Sequence, residues 1–334
     1  MTKHLGLELA LLLLLALLWG SSYLFIKVAL AGLPPLSLIA LRVSIAAGFL
    51  AAVMAWRHER LPRDRRTWRM LFLQAVFNSI GAWTLLSWGQ QYIDSGLASV
   101  LNSTTPIYVF VMSLALTRHE ALDGWKLLGT TVGFAGVSLV VGIDVLQGFG
   151  RHVAGELAVL AGALLYACAA IYGKRFASQS ALVTATGTMI CATLCLVPAS
   201  LIVERPWTLQ PSWPALLAVA TLGLGCTGLA MLIYFRLLRT LGSLGVTSQS
   251  YLRAGVGVLL GIIVLGEQLT PAIAVGLAAA LLGVVAINLP GAALHRAARL
   301  ATNWRWWRGI SAGSCPYGRS GSPRRPGPTR PWWS

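Results

Sequence analysis

Arg253 lies well inside an apolar stretch that is long enough to cross a membrane. Arg253 falls within residues 245–266, and at 1.5 Å per residue it would lie roughly 10–12 Å inside a bilayer. An arginine at the centre of a membrane helix costs roughly 2.5–3.5 kcal/mol on insertion scales, so its side chain must face a wet cavity or a polar partner. Because a guanidinium offers two parallel donors to a carboxylate, Arg253 is a candidate site for an anionic group. The alternative is that Arg253 braces helices through backbone carbonyls or snorkels to the interface.

Further polar and aromatic residues are candidates for the same site. Gln249 precedes Arg253 by four residues, on the same face of a helix, and Tyr251 lies between them. Asn102 stands 147 residues before Gln249, and Pro106 stands 147 residues before Arg253. Since Pro106 removes the helical donor for the carbonyl of Asn102, we expect a kink or a polar cavity there. The predicted substrate-binding residues are Arg253, Gln249, Tyr251, Asn102, Trp19 and Tyr23.

The residue types that enzymes and metal sites use are located elsewhere. The histidines and all ten acidic residues lie between apolar stretches or at their ends, and neither HExxH nor GxSxG occurs. Cys191 and Cys195 share a helix face, but no histidine or carboxylate joins them, so we interpret them as packing residues. We therefore expect no enzymatic activity, no metal and no cofactor. The lack of a mid-membrane carboxylate also argues against a proton-driven or organic-cation site.

The composition is typical of a membrane protein. Of 334 residues, 56% are hydrophobic and only 11% are charged, which is too little charge to cover a soluble surface of this size. The apolar stretches are long and continuous, which favours helices over the alternating pattern of a β-barrel. We predict an all-α polytopic membrane protein. Its ten predicted spans are 5–26, 36–56, 70–90, 96–117, 126–143, 155–173, 181–203, 214–235, 245–266 and 271–289.

The ten transmembrane helices are predicted to form two copies of a five-helix unit. Glu120 and Glu267 are 147 residues apart, and the same offset relates Gly129 to Gly276. Because five is an odd number, the second copy enters the membrane from the opposite side, which is the inverted-repeat arrangement of secondary transporters. We predict a first repeat at 5–141, a linker at 142–154, a second repeat at 155–289, and a basic, largely disordered cytoplasmic tail at 290–334.

The distribution of positive charge predicts the orientation. Most of the 26 lysines and arginines lie in segments that a cytoplasmic amino terminus would place inside the cell. We therefore predict a multi-pass protein of the cell inner (plasma) membrane with both termini in the cytoplasm. Because the same rule explains the net charge of +16, we expect no nucleic acid as a partner.

Four segments carry a resemblance to a known family. They are LLWGSSYLFIKVAL (17–30), SGLASVLNSTTP (95–106), EALDGWKLLGTTVGFAGVSLVV (120–141) and YLRAGVGVLLGIIVLGEQLT (251–270). Together they resemble the EamA-type transporters of the drug/metabolite transporter superfamily. The resemblance implies two inverted five-helix repeats around a central cavity, and transport of small metabolites such as amino acids, nucleosides, sugars or organic acids. Two departures from the family pattern bear on the substrate. Many relatives have proline near Ala254, where this chain has Arg253-Ala254-Gly255. Relatives among the small multidrug exporters use a glutamate in their first helix, whereas the first span here has only Glu8, at its start, which argues against cationic-drug/proton antiport.

These observations lead to one main hypothesis and two alternatives. The main hypothesis is alternating-access transport of a carboxylate-bearing small solute, such as an amino acid or organic acid. The first alternative is efflux of drugs or amines, with aromatic rings binding the cation. The second is a membrane scaffold or sensor that keeps the fold without transporting. The expected partners are a small-molecule substrate and the lipid bilayer, and homodimer formation is left open.

Overall fold

The computed structural model describes residues 2–116, 150–247 and 249–268, together with single positions at 131–132, 135, 271, 274–275, 278–279 and 282. Every regular element in these residues is helical, and no strand occurs among them. The predicted all-α class is therefore confirmed. The spans predicted at 126–143 and 271–289, Glu120 and the tail 290–334 lie wholly or mostly outside the described residues.

Eleven α-helices and two short π-helical segments are described. Six stretches are long and apolar enough to cross a membrane, some of them running through several of these elements, and they are Gly6–Leu30, Pro35–Trp56, Arg65–Gly89, His152–Phe176, Ala181–Val203 and Trp213–Leu241. The α-helices are α1 Thr2–Leu30, α2 Pro35–Trp56, α3 Arg65–Ala75, α4 Ala82–Gly89, α5 Ser95–Asn102, α6 Thr105–Leu116, α7 Gly150–Gly173, α8 Ala181–Val203, α9 Trp213–Gly223, α10 Ala230–Thr247 and α11 Gln249–Leu265.

Local chemistry explains where several helices begin. Proline has no backbone N–H to lose at a helix start, and Pro35 opens α2. The Asp64 side chain caps α3 by accepting a 2.7 Å hydrogen bond from the Thr67 N–H. That bonding to Thr67 lowers the pKa of the exposed Asp64 carboxyl below its ordinary value, so the cap stays ionised at neutral pH.

The span predicted at 96–117 is divided in two. Helix α5 ends at Asn102 and α6 begins at Thr105, just before Pro106. Because Pro106 cannot donate a backbone hydrogen bond to the carbonyl of Asn102, that carbonyl needs another partner. It accepts a 2.8 Å bond from the Thr105 hydroxyl. The break therefore lies where the proline predicts it.

Two π-helical segments interrupt otherwise α-helical spans. They are Val76–Gly81, between α3 and α4, and Leu224–Leu229, between α9 and α10. A π-segment inserts an extra residue in a turn and disturbs the usual backbone ladder, which frees carbonyls for other donors. The carbonyl of Cys226 uses this freedom and accepts a 2.9 Å hydrogen bond from the Trp19 indole N–H.

The most extensive helix contacts join residues 2–116, here called the first half, to residues 150–268, the second half. Helix α2 packs on α8, α1 on α11, and α4 on α7. Helices α1 and α11 approach closely at Gly20, where a Cβ atom would lie 3.0 Å from the backbone oxygen of Arg253. The lack of a side chain at Gly20 therefore brings Arg253 against α1.

Candidate functional site

A small polar cavity lies between the two halves. Its volume is about 20 Å³, which is enough for roughly one water molecule. Helices of both halves contribute side chains to it, and none of the described lining residues is acidic. The lining residues are Trp19, Asn78, Thr105, Tyr166, Tyr234, Gln249 and Arg253.

Arg253 is the charged residue of this lining. Its side chain is 4% exposed, so it does not snorkel to the surface. The guanidinium carbon lies 5.7 Å from the ring centre of Trp19, 5.9 Å from that of Tyr23 and 5.8 Å from that of Tyr166. A cation near several ring faces is attracted to their negative quadrupoles, and the attraction is larger when water is excluded. The rings therefore stabilise a buried positive charge at the edge of the cavity.

Gln249 contributes a second polar group to the cavity. It begins α11, one turn before Arg253, and is 2% exposed. Its side-chain oxygen is buried and has no hydrogen-bond partner within the described part of the chain. An unpaired buried amide costs roughly 1–3 kcal/mol, so this position is suited to a ligand that supplies a partner.

Trp19 is fixed from two directions. Its indole N–H donates to the carbonyl of Cys226 in the second π-segment. Its ring lies 5.3 Å, centre to centre, from the ring of Tyr234 at a tilted angle of 43°. These two contacts hold the Trp19 ring in the cavity wall, where it also faces Arg253.

Asn102 and Tyr23 form a buried pair that supports the site. The Asn102 amide donates a 2.7 Å hydrogen bond to the Tyr23 hydroxyl, and both side chains are almost completely buried. The Tyr23 ring in turn faces Arg253. Neither residue is part of the cavity lining. The pair therefore positions an aromatic ring against the cation.

A second buried arginine braces helices. The guanidinium of Arg42, on α2, lies 4.1 Å from the ring centre of Trp83, and its Nε donates a 2.6 Å bond to the Thr227 hydroxyl in the second π-segment. The side chain is 2% exposed. These contacts tie α2 to one span of each half and do not place Arg42 in the cavity.

Of the six predicted site residues, the structure brings five together. Trp19, Gln249 and Arg253 line the cavity, and Tyr23 and Asn102 lie behind it. The side chain of Tyr251 lies outside the described residues. The prediction did not include Asn78, Thr105, Tyr166 and Tyr234, which also line the cavity.

Some of these omissions had a signal in the sequence. Thr105 immediately precedes Pro106, the residue that marks the break in this span. Asn78 is an amide within a predicted span. Tyr166 stands 147 residues after Trp19, so the repeat offset relates it to a predicted site residue. Tyr234 carries no comparable signal, because aromatic residues in membrane spans are most often packing residues or interface anchors.

Two glutamates of the second half bind helix amino termini of the first half. Glu204 accepts from the backbone N–H groups of Leu36, at 2.9 Å, and Ser37, at 2.5 Å, at the start of α2. Glu267 accepts from the N–H groups of Ser95, at 2.9 Å, and Gly96, at 3.0 Å, at the start of α5. A carboxylate at a helix amino terminus is stabilised by unpaired N–H groups and by the helix dipole. We call Glu204 and Glu267 the glutamate latches.

The side chains of Lys27 and Glu8 make further contacts between helical segments. The Lys27 ammonium, at the same end as the latches, donates to the carbonyls of Gln90 and Ile93, at 3.1 and 2.8 Å. Near the start of α1, the Glu8 carboxylate accepts from Arg236 at 3.1 Å and from Thr240 at 3.0 Å, both on α10. Contacts between the halves therefore exist towards both ends of the cavity.

Comparisons with known proteins give one family. The profile of the EamA-like transporter family matches residues 6–142 and again residues 153–289. The chain is 27% identical over 275 residues to YedA of Escherichia coli K12, named an uncharacterized inner membrane transporter, covering 82% of this chain and 88% of YedA. It is 26% identical over 265 residues to the uncharacterized transporter YoaV of Bacillus subtilis 168, covering 78% of this chain and 89% of YoaV.

A solved structure supports the fold independently. A crystal structure of another protein matches this chain with a TM-score of 0.63, covering 84% of this chain and 97% of that one. The sequence identity is 19%, so the likeness concerns the arrangement of helices alone.

Proposed function

Because the chain belongs to the EamA-like transporter family, we propose that it is an inner-membrane transporter of a small carboxylate-bearing solute, such as an amino acid or organic acid. The proposal includes ten spans in two inverted repeats, alternating access and cytoplasmic termini. The family match in two consecutive segments of similar length supports the repeat. The buried Arg253 supports the substrate class.

The observation that carries this proposal is the charge of the cavity. Arg253 is the ionised residue of the described lining, and the remaining side chains are neutral. A solute carboxylate entering this cavity would gain a bidentate, charge-assisted contact in a water-poor environment. The three aromatic rings already face Arg253. A cationic solute that bound to these ring faces would therefore lie beside another positive charge.

Gln249 favours amino acids within this class. Its buried side-chain oxygen lines the cavity one helical turn from Arg253 and has no hydrogen-bond partner among the described residues. The ammonium group of an amino acid could donate to this oxygen while its carboxylate binds Arg253. An organic acid without a donor would use the arginine alone.

The small volume of the cavity supports alternating access. A cavity of about 20 Å³ cannot hold an amino acid, so the walls must separate before a solute enters. The glutamate latches join the two halves at one end and the Glu8 contacts join them towards the other. Breaking one set at a time would open the cavity to one side of the membrane at a time.

Uptake into liposomes tests the proposal. Purified protein would be reconstituted and screened against pooled labelled amino acids, organic acids and amines. We expect uptake of a carboxylate-bearing solute, and we expect Arg253→Gln to weaken its apparent affinity by about tenfold to a hundredfold, because a hydrogen-bonded charge contributes roughly 1.5–3 kcal/mol. Arg253→Lys would retain part of the affinity.

The matched control is Arg57→Gln, which makes the same change at an exposed arginine. It should leave uptake unchanged. Transport of amines that Arg253→Gln does not alter would overturn the substrate class and favour the efflux hypothesis. Absence of flux for every pool would instead favour the scaffold hypothesis.

A further inference from the structure

An exposed groove lies between α3 and α8, away from the central cavity. Its volume is about 490 Å³, and it is lined by Arg65, Trp68, Arg69, Phe72 and Cys191. We propose that this groove binds one anionic phospholipid, with the phosphate headgroup at Arg65 and Arg69 and an acyl chain along Phe72 and Cys191. This inference does not depend on which solute is transported.

The position of the groove along the membrane matches the two parts of a lipid. Arg65 begins the candidate span Arg65–Gly89, so it lies at a membrane interface. Arg65, Arg69 and Phe72 follow the i, i+4, i+7 spacing and share one face of the helix. At 1.5 Å per residue Phe72 lies roughly 10 Å deeper than Arg65. The arginines are therefore at headgroup depth and Phe72 is at acyl-chain depth.

Cys191 on α8 lines the floor of the groove, near the place where α3 and α8 pack closely. Helices α3 and α8 approach closely at Gly187, where an added Cβ would lie 2.6 Å from the Leu71 side chain. Cys191 follows Gly187 by one helical turn and lines the groove. Phe72 is 46% exposed beside it and forms a wall. An exposed groove lined by Phe72 and Cys191 suits an apolar acyl chain better than a compact polar ligand.

The positive charges of Arg65 and Arg69, at the interfacial end of the groove, favour an anionic headgroup. Arg65 and Arg69 are exposed, and neither makes an ion pair within 4 Å with another described residue. The nearby Asp64 carboxylate is engaged by the Thr67 N–H as the helix cap. Basic groups between membrane helices at an interface attract anionic lipid headgroups. A zwitterionic lipid brings a cationic group together with its phosphate, so it compensates these two positive charges less well than an anionic lipid does.

Native mass spectrometry of the full chain with equal amounts of phosphatidylglycerol and phosphatidylcholine tests the site. We expect the protein to retain phosphatidylglycerol preferentially. Each arginine near an anionic lipid increases the affinity for that lipid about fivefold. R65Q/R69Q should therefore lower retention of phosphatidylglycerol at least about tenfold. R65K/R69K should keep the preference. C191L fills the floor and should lower the retention of either lipid.

Matched variants separate this groove from general surface charge. R60Q/R63Q removes two arginines from the neighbouring loop, and C168L makes the same cysteine-to-leucine change on α7, outside the groove. Both should retain the lipid as the unaltered protein does, and every variant keeps the basic tail. The site assignment fails if R60Q/R63Q lowers retention as much as R65Q/R69Q, if C191L has no effect, or if inorganic phosphate displaces all bound lipid.

Discussion

At the scale of single residues, the cost of burying a charge explains most of the candidate site. Arg253 is 4% exposed, and its guanidinium is surrounded by the rings of Trp19, Tyr23 and Tyr166. Those rings are themselves fixed: Trp19 by the carbonyl of Cys226 and Tyr23 by the amide of Asn102. A cation held in this way would be oriented before a ligand arrives, which would reduce the ordering cost of the proposed binding.

A substitution at Gln249 tests whether the solute carries an amino group. If its buried oxygen accepts from a substrate ammonium, Gln249→Leu should reduce the apparent affinity for amino acids by about tenfold or more and that for simple organic acids by less than about twofold. Competition in the liposome uptake assay measures both. Gln91→Leu, at an exposed amide, is the matched control. Equal losses for amino acids and organic acids would show that Gln249 does not distinguish them.

At the scale of helices, the ends of elements connect the two halves. The glutamate latches each pair a carboxylate of the second half with the amino terminus of a first-half helix, which is a favourable electrostatic arrangement. The two π-segments lie within spans. The second one supplies two hydrogen-bond acceptors, a backbone carbonyl for Trp19 and the Thr227 hydroxyl for Arg42. Helix ends therefore connect the two halves, and the second π-segment holds Trp19 in the cavity wall.

Neutralising one latch should favour opening at that end. Glu267→Gln keeps the shape of the side chain but loses the charge, and a charge at a helix end contributes roughly 0.3–1 kcal/mol. In a background with the native cysteines replaced, a cysteine introduced at Thr105 should react about two- to fivefold faster with a soluble thiol reagent. Glu59→Gln removes a carboxylate outside the latches and should leave the rate unchanged. A latch variant with the same rate as this control would exclude a gating role for Glu267.

At the scale of the whole molecule, the pairing of α2 with α8, α1 with α11 and α4 with α7 places the cavity between the halves. The cavity receives side chains from both, including Trp19 of the first half and Arg253 of the second. Relative movement of the halves would therefore change the cavity and the contacts at its ends together. This coupling is what alternating access requires.

The proposed topology can be checked with fusion reporters. Ten spans with cytoplasmic termini predict that alkaline phosphatase is active when fused after residues 93, 148 or 208, and inactive after residues 61 or 178. A fluorescent protein at the carboxyl terminus should fold and fluoresce, since that terminus is expected in the cytoplasm. Active phosphatase after residue 61 would contradict the orientation, and inactive phosphatase after residue 148 would contradict the span count.

The all-helical class and the identity of the buried cation were predictable because both depend on local sequence. A long apolar stretch must satisfy its backbone as a helix, and an arginine within it must find a polar environment. The break near Pro106 follows from the missing N–H of proline. The family resemblance, confirmed by the match to residues 6–142 and 153–289, rested on the same segments.

The tertiary structure alone decided which side chains meet. Tyr234 lies beside Trp19, and Glu267 binds the N–H of Ser95, although the residues of each pair are far apart in the chain. No periodicity or spacing within a span specifies such contacts, because they depend on how whole helices pack. Hydrophobicity determined that the chain forms membrane helices in which the buried charge of Arg253 is costly. Packing between the halves determined that this arginine faces aromatic rings and a small shared cavity.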